Sequence, residues 1–97
     1  MKRYVLTLDA EQDVTELAEY IARDDTATAL RILDEIDAAA LKLARFPHLG
    51  HERKDITSRP VRFWPLYSFV IVYRPDTTPL EIVRVVSAFR DLVALLA

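Results

Sequence analysis

Five basic side chains, Arg53, Lys54, Arg62, Arg84 and Arg90, fall in the second half of this 97-residue chain and are of the kind that hold phosphate or carboxylate oxygens. Cleaving a phosphodiester without a metal would need such cations for the charge that develops on phosphorus, with a base and an acid beside them for the proton transfers. That acid/base pair is what the sequence lacks. The last apolar run is followed by Ser87-Ala88-Phe89, and a serine hydroxyl carries protons poorly at neutral pH. His48 and His51 stand in a polar stretch far along the chain from that run and read as solvated loop histidines. With Glu52 they form a His-x-x-His-Glu pattern, but it lies in a loop, with no cysteine and no second cluster, so surface residues are the better reading than a zinc site.

Arg62 and Arg84 each fall inside a strand-like run. They either stand on an open sheet face toward a partner or pair with carboxylates, and sequence alone leaves both readings open. Phe63, Trp64, Tyr67, Phe69 and Tyr73 make the same region aromatic; the near-continuous apolar run around Phe69 favours core over a base-stacking platform.

The elements that must position these residues follow from periodicity. Residues 2–7 form a short β-strand. Asp9 is the expected N-cap of a first helix, with Gln12 completing a capping box, and Ala10, Val14, Leu17, Ala18 and Ile21 make one apolar stripe. Asp24-Asp25-Thr26 breaks the pattern and caps a second helix, whose stripe of Ala29, Leu33, Ile36, Ala40 and Leu43 runs to about Arg45 before Phe46-Pro47 stops it. So short a break predicts an antiparallel helical hairpin. A loop over 47–58 holds the only glycine, Gly50. Strands are predicted at 61–64, 67–74 and 80–88, with Pro65 at a corner or sheet edge and Pro75-Asp76-Thr77-Thr78-Pro79 as a turn. The short connections predict an antiparallel meander, and residues 67–73 read as a central strand buried on both faces. A short helix over 90–96 follows. The expected fold is α+β, in the order β-α-α-β-β-β with a short C-terminal helix, and the helical hairpin packs on one face of a small antiparallel sheet.

Composition bounds the rest. The length sets one domain, residues 1–97, with a modest core. The absence of cysteine excludes disulfides, thiolate metal sites and cysteine nucleophiles, and the single glycine argues against glycine-rich phosphate loops. No run is long enough to span a bilayer and no signal peptide is read, so the expected location is the cytoplasm, without membrane contact. The hydrophobic fraction of 52% exceeds the usual ~45–50% and leaves apolar surface available to a partner. Residues 9–37 carry ten acids against two bases, a balance of −8, whereas residues 38–97 carry nine bases against five acids, a balance of +4. That asymmetry gives two surfaces of opposite sign, or solvated helix faces beside scattered basic strand residues. The pI of about 5.6 is low for a free-standing RNA-binding domain.

Several stretches resemble the RelE/ParE toxin superfamily, in the expected order and over nearly the whole chain. Ala10-x-x-Asp13-Val14-x-x-Leu17-x-x-Tyr20-Ile21-Ala22-x-Asp24 is similar to the first helix of ParE-type toxins, and Ala29-Leu30-Arg31 with Ile36 resembles the second. Phe46-Pro47-x-Leu49-Gly50-x-x-Arg53 resembles the following loop, and Val61-Arg62-Phe63, Tyr67 and Tyr73-Arg74 the central hairpin. Glu81-Ile82-Val83-Arg84-Val85-Val86 and Phe89-Arg90-Asp91-Leu92 are similar to the closing strand and terminal motif. The resemblance implies a toxin neutralised by direct binding of a cognate antitoxin. ParE-like members poison DNA gyrase. RelE-like members cut messenger RNA in the ribosomal A site, usually with a tyrosine or histidine near the end of the sheet, where this chain has Ser87. The expectation is therefore a ParE-like toxin that acts by binding gyrase, with no catalytic residue of its own. Arg53, Arg62, Arg84 and Arg90 would face target or antitoxin, and no metal, cofactor or small-molecule substrate is expected. The alternatives are a ribosome-dependent mRNA endonuclease and a degenerate toxin that binds only antitoxin.

Overall fold

The computed structural model describes residues 2–96. The chain runs β1 (Tyr4–Leu6), α1 (Leu8–Ala22), α2 (Thr26–Arg45), β2 (Arg62–Leu66), β3 (Phe69–Arg74), β4 (Leu80–Ser87) and α3 (Leu92–Leu96). The strands form one sheet in the order β1-β4-β3-β2. β2, β3 and β4 are the expected antiparallel meander, and β1 joins its far side parallel to β4, so the sheet is mixed. Local pattern does not reveal that pairing, because β1 meets β4 across the whole length of the chain.

Helix α1 is capped by Thr7 rather than Asp9. The Thr7 hydroxyl accepts from Ala10 N at 3.1 Å and donates to the Val83 carbonyl at 2.8 Å, so the helix starts as the strand leaves the sheet, and Asp9 falls in the first turn. Asp25 caps α2, accepting from Thr28 N at 3.0 Å. Lys42 and Arg45 sit in the last turn of α2, where the carbonyl end of the helix favours cations.

β4 carries a bulge. Val72 pairs with Arg84 and Tyr73 with Ile82, leaving Val83 without a counterpart. Ile82 and Val85, three residues apart, can then face the same core, which strict alternation would forbid. That core lies between the helices and the sheet and joins Ala10, Ile32, Ile36, Ala40 and Leu43 to Ile71, Tyr73, Leu80, Ile82 and Val85. The other face is covered as well: Val61, Phe63, Val70, Val72, Val83 and Val86 pack against Leu96, with Ile56, Leu92 and Leu95 around them. Residues Val70–Tyr73 are accordingly buried throughout. The strand expected from 67 begins at Phe69; Tyr67 and Ser68 form the two-residue turn after Leu66, and Tyr67 takes a left-handed φ of 57°. Pro65 lies within β2, which is an edge strand.

Polar side chains also tie the helices to the sheet beside that core. Asp13 of α1, its side chain only 8% exposed, accepts from Arg84 Nε at 2.7 Å, Arg84 Nη2 at 2.9 Å and Val85 N at 3.0 Å. The Tyr4 hydroxyl donates to Asp37 of α2. Asp13→Ala leaves the Arg84 guanidinium and the Val85 amide without their partner, and is expected to lower the unfolding free energy by about 3 kcal/mol in urea titrations. Burial, reinforced by the Asp37 carboxylate, pushes the Tyr4 phenol from 10.0 up to about 12. Between those pH values the unfolded chain releases the proton while the folded chain keeps it, so stability is intact below pH 10 and declines up to about pH 12. Urea midpoints measured across this window are expected to fall less steeply for Tyr4→Phe than for the unaltered chain.

Candidate binding surface

The residues expected to meet a target are not gathered into one cluster. Arg84 is committed to Asp13, and the carboxylate holds its guanidinium above the usual arginine range. Arg62 crosses the loop after α2, donating to the Gly50 carbonyl at 2.8 Å and lying 3.4 Å from the His48 carbonyl and from Glu52. The same loop is pinned by Tyr73, whose hydroxyl donates to the Pro47 carbonyl at 2.7 Å and accepts from Gly50 N at 2.8 Å. Gly50 is glycine because a Cβ there would stand 2.5 Å from that hydroxyl. Of the two readings open for Arg62 and Arg84, the structure supports pairing. Arg53 is solvent-exposed and held bidentate by Asp55 at 3.0 and 2.7 Å. Arg90 makes no ion pair among the described residues and lies beside the open end of β4.

That end of the sheet is where chemically capable side chains do converge. A cavity of about 370 Å³ opens between the β2–β3 turn and α3, lined by His51, Arg53, Phe63, Tyr67, Phe69, Ala88 and Leu92. A second groove, of about 320 Å³, lies on the other side of Phe69 and is lined by Glu16, Tyr20, Ser87 and Arg90. The turn fixes their common wall: Ala88 N donates to the Ser68 carbonyl at 2.9 Å, which draws the chain after β4 onto the hairpin tip. At this end stand three exposed aromatics, Tyr20 at 69%, Tyr67 at 66% and Phe89 at 88%. The Tyr67 hydroxyl donates to Glu35 of α2 at 2.8 Å, and that bond, with some burial, raises the phenol above its ordinary range. Of the aromatic hairpin, Phe63 and Tyr73 are core as expected, whereas Tyr67 is surface.

Proton transfer at this end has few carriers. The Ser87 hydroxyl accepts from Phe89 N at 3.2 Å, and Tyr67 holds its proton toward Glu35. His51, which sequence placed in a remote loop, is brought to the sheet: its N–H donates to the Phe63 carbonyl at 2.9 Å and its carbonyl accepts from Phe63 N at 2.7 Å. His51 thereby lines the same cavity as Arg53 and Ala88. Nothing in the local pattern signals that return, because it depends on the loop being pinned by Tyr73 and Arg62. Among the described residues no three His, Cys, Asp or Glu side chains come together as a metal site, and no helix is long and apolar enough to cross a membrane.

The family model for the ParE toxin of the type II toxin–antitoxin system parDE matches residues 4–92. A solved structure described as the chromosomal ParDE TA system from P. aeruginosa resembles this chain with a TM-score of 0.71 at 20% sequence identity, over 90% of this chain and 96% of that one. At that identity the likeness establishes the fold. No curated protein matches the chain.

The four arginines should separate by stability alone. Arg84→Ala, which strands the Asp13 carboxylate, is expected to cost about 3 kcal/mol, and Arg62→Ala, which frees the Gly50 carbonyl, about 1–2 kcal/mol. Arg53→Ala and Arg90→Ala are expected to stay within about 0.5 kcal/mol. Thermal and urea unfolding of the four variants checks this ordering, and an Arg84→Ala variant as stable as the unaltered chain contradicts it.

Proposed function

The chain belongs to the ParE toxin family of type II toxin–antitoxin systems, and from that premise we propose that it inhibits DNA gyrase by binding and is silenced by direct binding of a cognate antitoxin. The family match over residues 4–92 carries the reading. The scarcity of proton carriers at the end of β4 supports it, since a mechanism made only of binding needs none. Poisoning by binding requires preference for one state of the target: about 1.4 kcal/mol of preference for the cleaved gyrase–DNA state raises its population tenfold. The contacts would come from the exposed end of the sheet, Tyr67, Phe89 and Arg90, with Arg53 at its rim.

The antitoxin would meet the other surface. Exposed Leu30 stands among the acids of the helical hairpin, and a segment with apolar anchors and basic flanks that folds as it binds matches that composition. The cytoplasm is the compartment where both partners would be found. Ribosome-dependent mRNA cleavage is the second reading, favoured by one observation, the placement of His51 and Arg53 on a common cavity wall with Ala88.

Purified protein is expected to inhibit gyrase supercoiling and trap cleaved plasmid, and induced cells to filament and mount a DNA-damage response. Phe89→Ala with Arg90→Ala should weaken inhibition at least tenfold without loss of stability; truncation before Arg90 is a poorer test, because Leu96 belongs to the second core. Unimpaired supercoiling at large molar excess removes gyrase as the target. Codon-specific transcript cleavage lost in His51→Ala, read by primer extension, would instead establish the nuclease reading.

A further inference from the structure

We propose that the free edge of β1 is a self-pairing surface, on which a second copy of this chain docks its own β1 antiparallel about a twofold axis.

The two edges of the sheet are built differently. At the β2 edge, the Phe63 N–H and carbonyl are both taken by His51, and Pro65 has no N–H to offer, so further pairing is blocked. At the β1 edge, the Arg3 carbonyl accepts from Leu80 N at 3.0 Å and Thr7 N donates to the Ile82 carbonyl at 3.0 Å. The ladder to β4 therefore uses the alternate residues Arg3, Val5 and Thr7, and Tyr4 and Leu6 direct their N–H and carbonyl groups outward. Among the described residues no bulge, proline or element covers them. A groove of about 590 Å³ runs alongside, lined by β1 and by Glu11, Asp37 and Leu41.

The edge is complementary to itself. With Val5 on the twofold, Tyr4 of one copy lies opposite Leu6 of the other. Both face outward, so each such pair exchanges two hydrogen bonds, about four in all. Charge follows the same operation. Lys2 and Arg3 line the groove before the strand, and Glu11 lies in the first turns of the helix that follows it, so antiparallel docking carries the basic end of each copy toward the acidic end of the other. Leu8, 84% exposed and three residues before Glu11 on the same side of α1, and Leu41, 41% exposed, flank the edge and would be covered. The result is one continuous sheet through both copies. A three-residue strand makes a small interface, so the equilibrium belongs in the micromolar range or weaker.

Sedimentation equilibrium of the purified full chain, from roughly one micromolar to several hundred micromolar, tests this. A reversible monomer–dimer equilibrium is expected. Leu6→Pro removes an outward donor and none that serves β4, and should stay monomeric throughout; Leu6→Ala, which loses the same packing against the core but keeps the donor, should still dimerise and controls for the lower melting point. Lys2→Glu and Glu11→Lys should each weaken dimerisation roughly three- to tenfold, and the double variant should restore it. Wild-type protein monomeric at the top of the range overturns the proposal, as does a double variant no tighter than the single ones. Monomeric protein whose Tyr4 and Leu6 amides become protected from exchange only with an antitoxin peptide also overturns it, and assigns the edge to the antitoxin.

Discussion

β1 is three residues long and lies beside a β4 of eight, so more than half of one side of β4 has no strand to pair with. Where β1 ends, two side chains continue the ladder. The Thr7 hydroxyl donates to the Val83 carbonyl, and the Asp13 carboxylate accepts from the Val85 amide. Burying that carboxylate is costly unless its oxygens are filled, and Arg84 fills them with two further donors. The bulge at Val83 belongs to the same arrangement, since it lets Ile82 and Val85 both reach the helix-side core. Helix α1 is thereby fixed in start, direction and depth before any of its apolar stripe is counted. Helix α2 inherits its position through the hairpin, with the Tyr4–Asp37 bond as a second tie.

The opposite face imposes a different demand. β3 and β4 present valines there that water must not reach, yet among the described residues both long helices lie on the other face and no third covers them. The cover is assembled from α3 and the loop before β2. A five-residue helix has no stability of its own, so α3 exists because Leu92, Leu95 and Leu96 find that face. The loop is held by the Tyr73 hydroxyl and Arg62 rather than by its own apolar content. Phe89 and Arg90 thus stand on a short span tied at both ends, between β4 and the docked α3.

What the sequence revealed were the features carried by local period. The stripes of α1 and α2 placed both helices within a few residues, the Pro75–Pro79 cluster placed the last turn, and the apolar run ending at Tyr73 identified the strand buried on both faces. What it hid depended on partners far away in the chain. Thr7 displaced Asp9 as cap because its hydroxyl also serves Val83, 76 residues on. Tyr67 looked like a strand residue because tyrosine favours strands; only the pairing of Leu66 with Phe69 forces it into a left-handed turn. Arg84 read equally well as a target contact or an ion-pair partner until Asp13, 71 residues earlier, was placed beside it.

These commitments change what kind of surface remains for function. Most of the arginines of the second half are engaged within the molecule: Arg84 on Asp13, Arg62 on the loop and Glu52, Arg53 on Asp55, Arg74 on Glu81. Lys42 lies over the Trp64 ring and Arg45 over that of Phe46. An exposed charge pair at Arg90 contributes about 1 kcal/mol or less. Full burial of a side chain such as Phe89 contributes about 1.5–3 kcal/mol, and Tyr67 adds a second large ring at the same end. If a partner were to dock at that end, these magnitudes would give most of its affinity to apolar burial, with Arg90 and Arg53 contributing orientation. A partner held this way would bind with a shallow dependence on salt, unlike one gripped through neutralised phosphates, whose affinity falls steeply as salt rises.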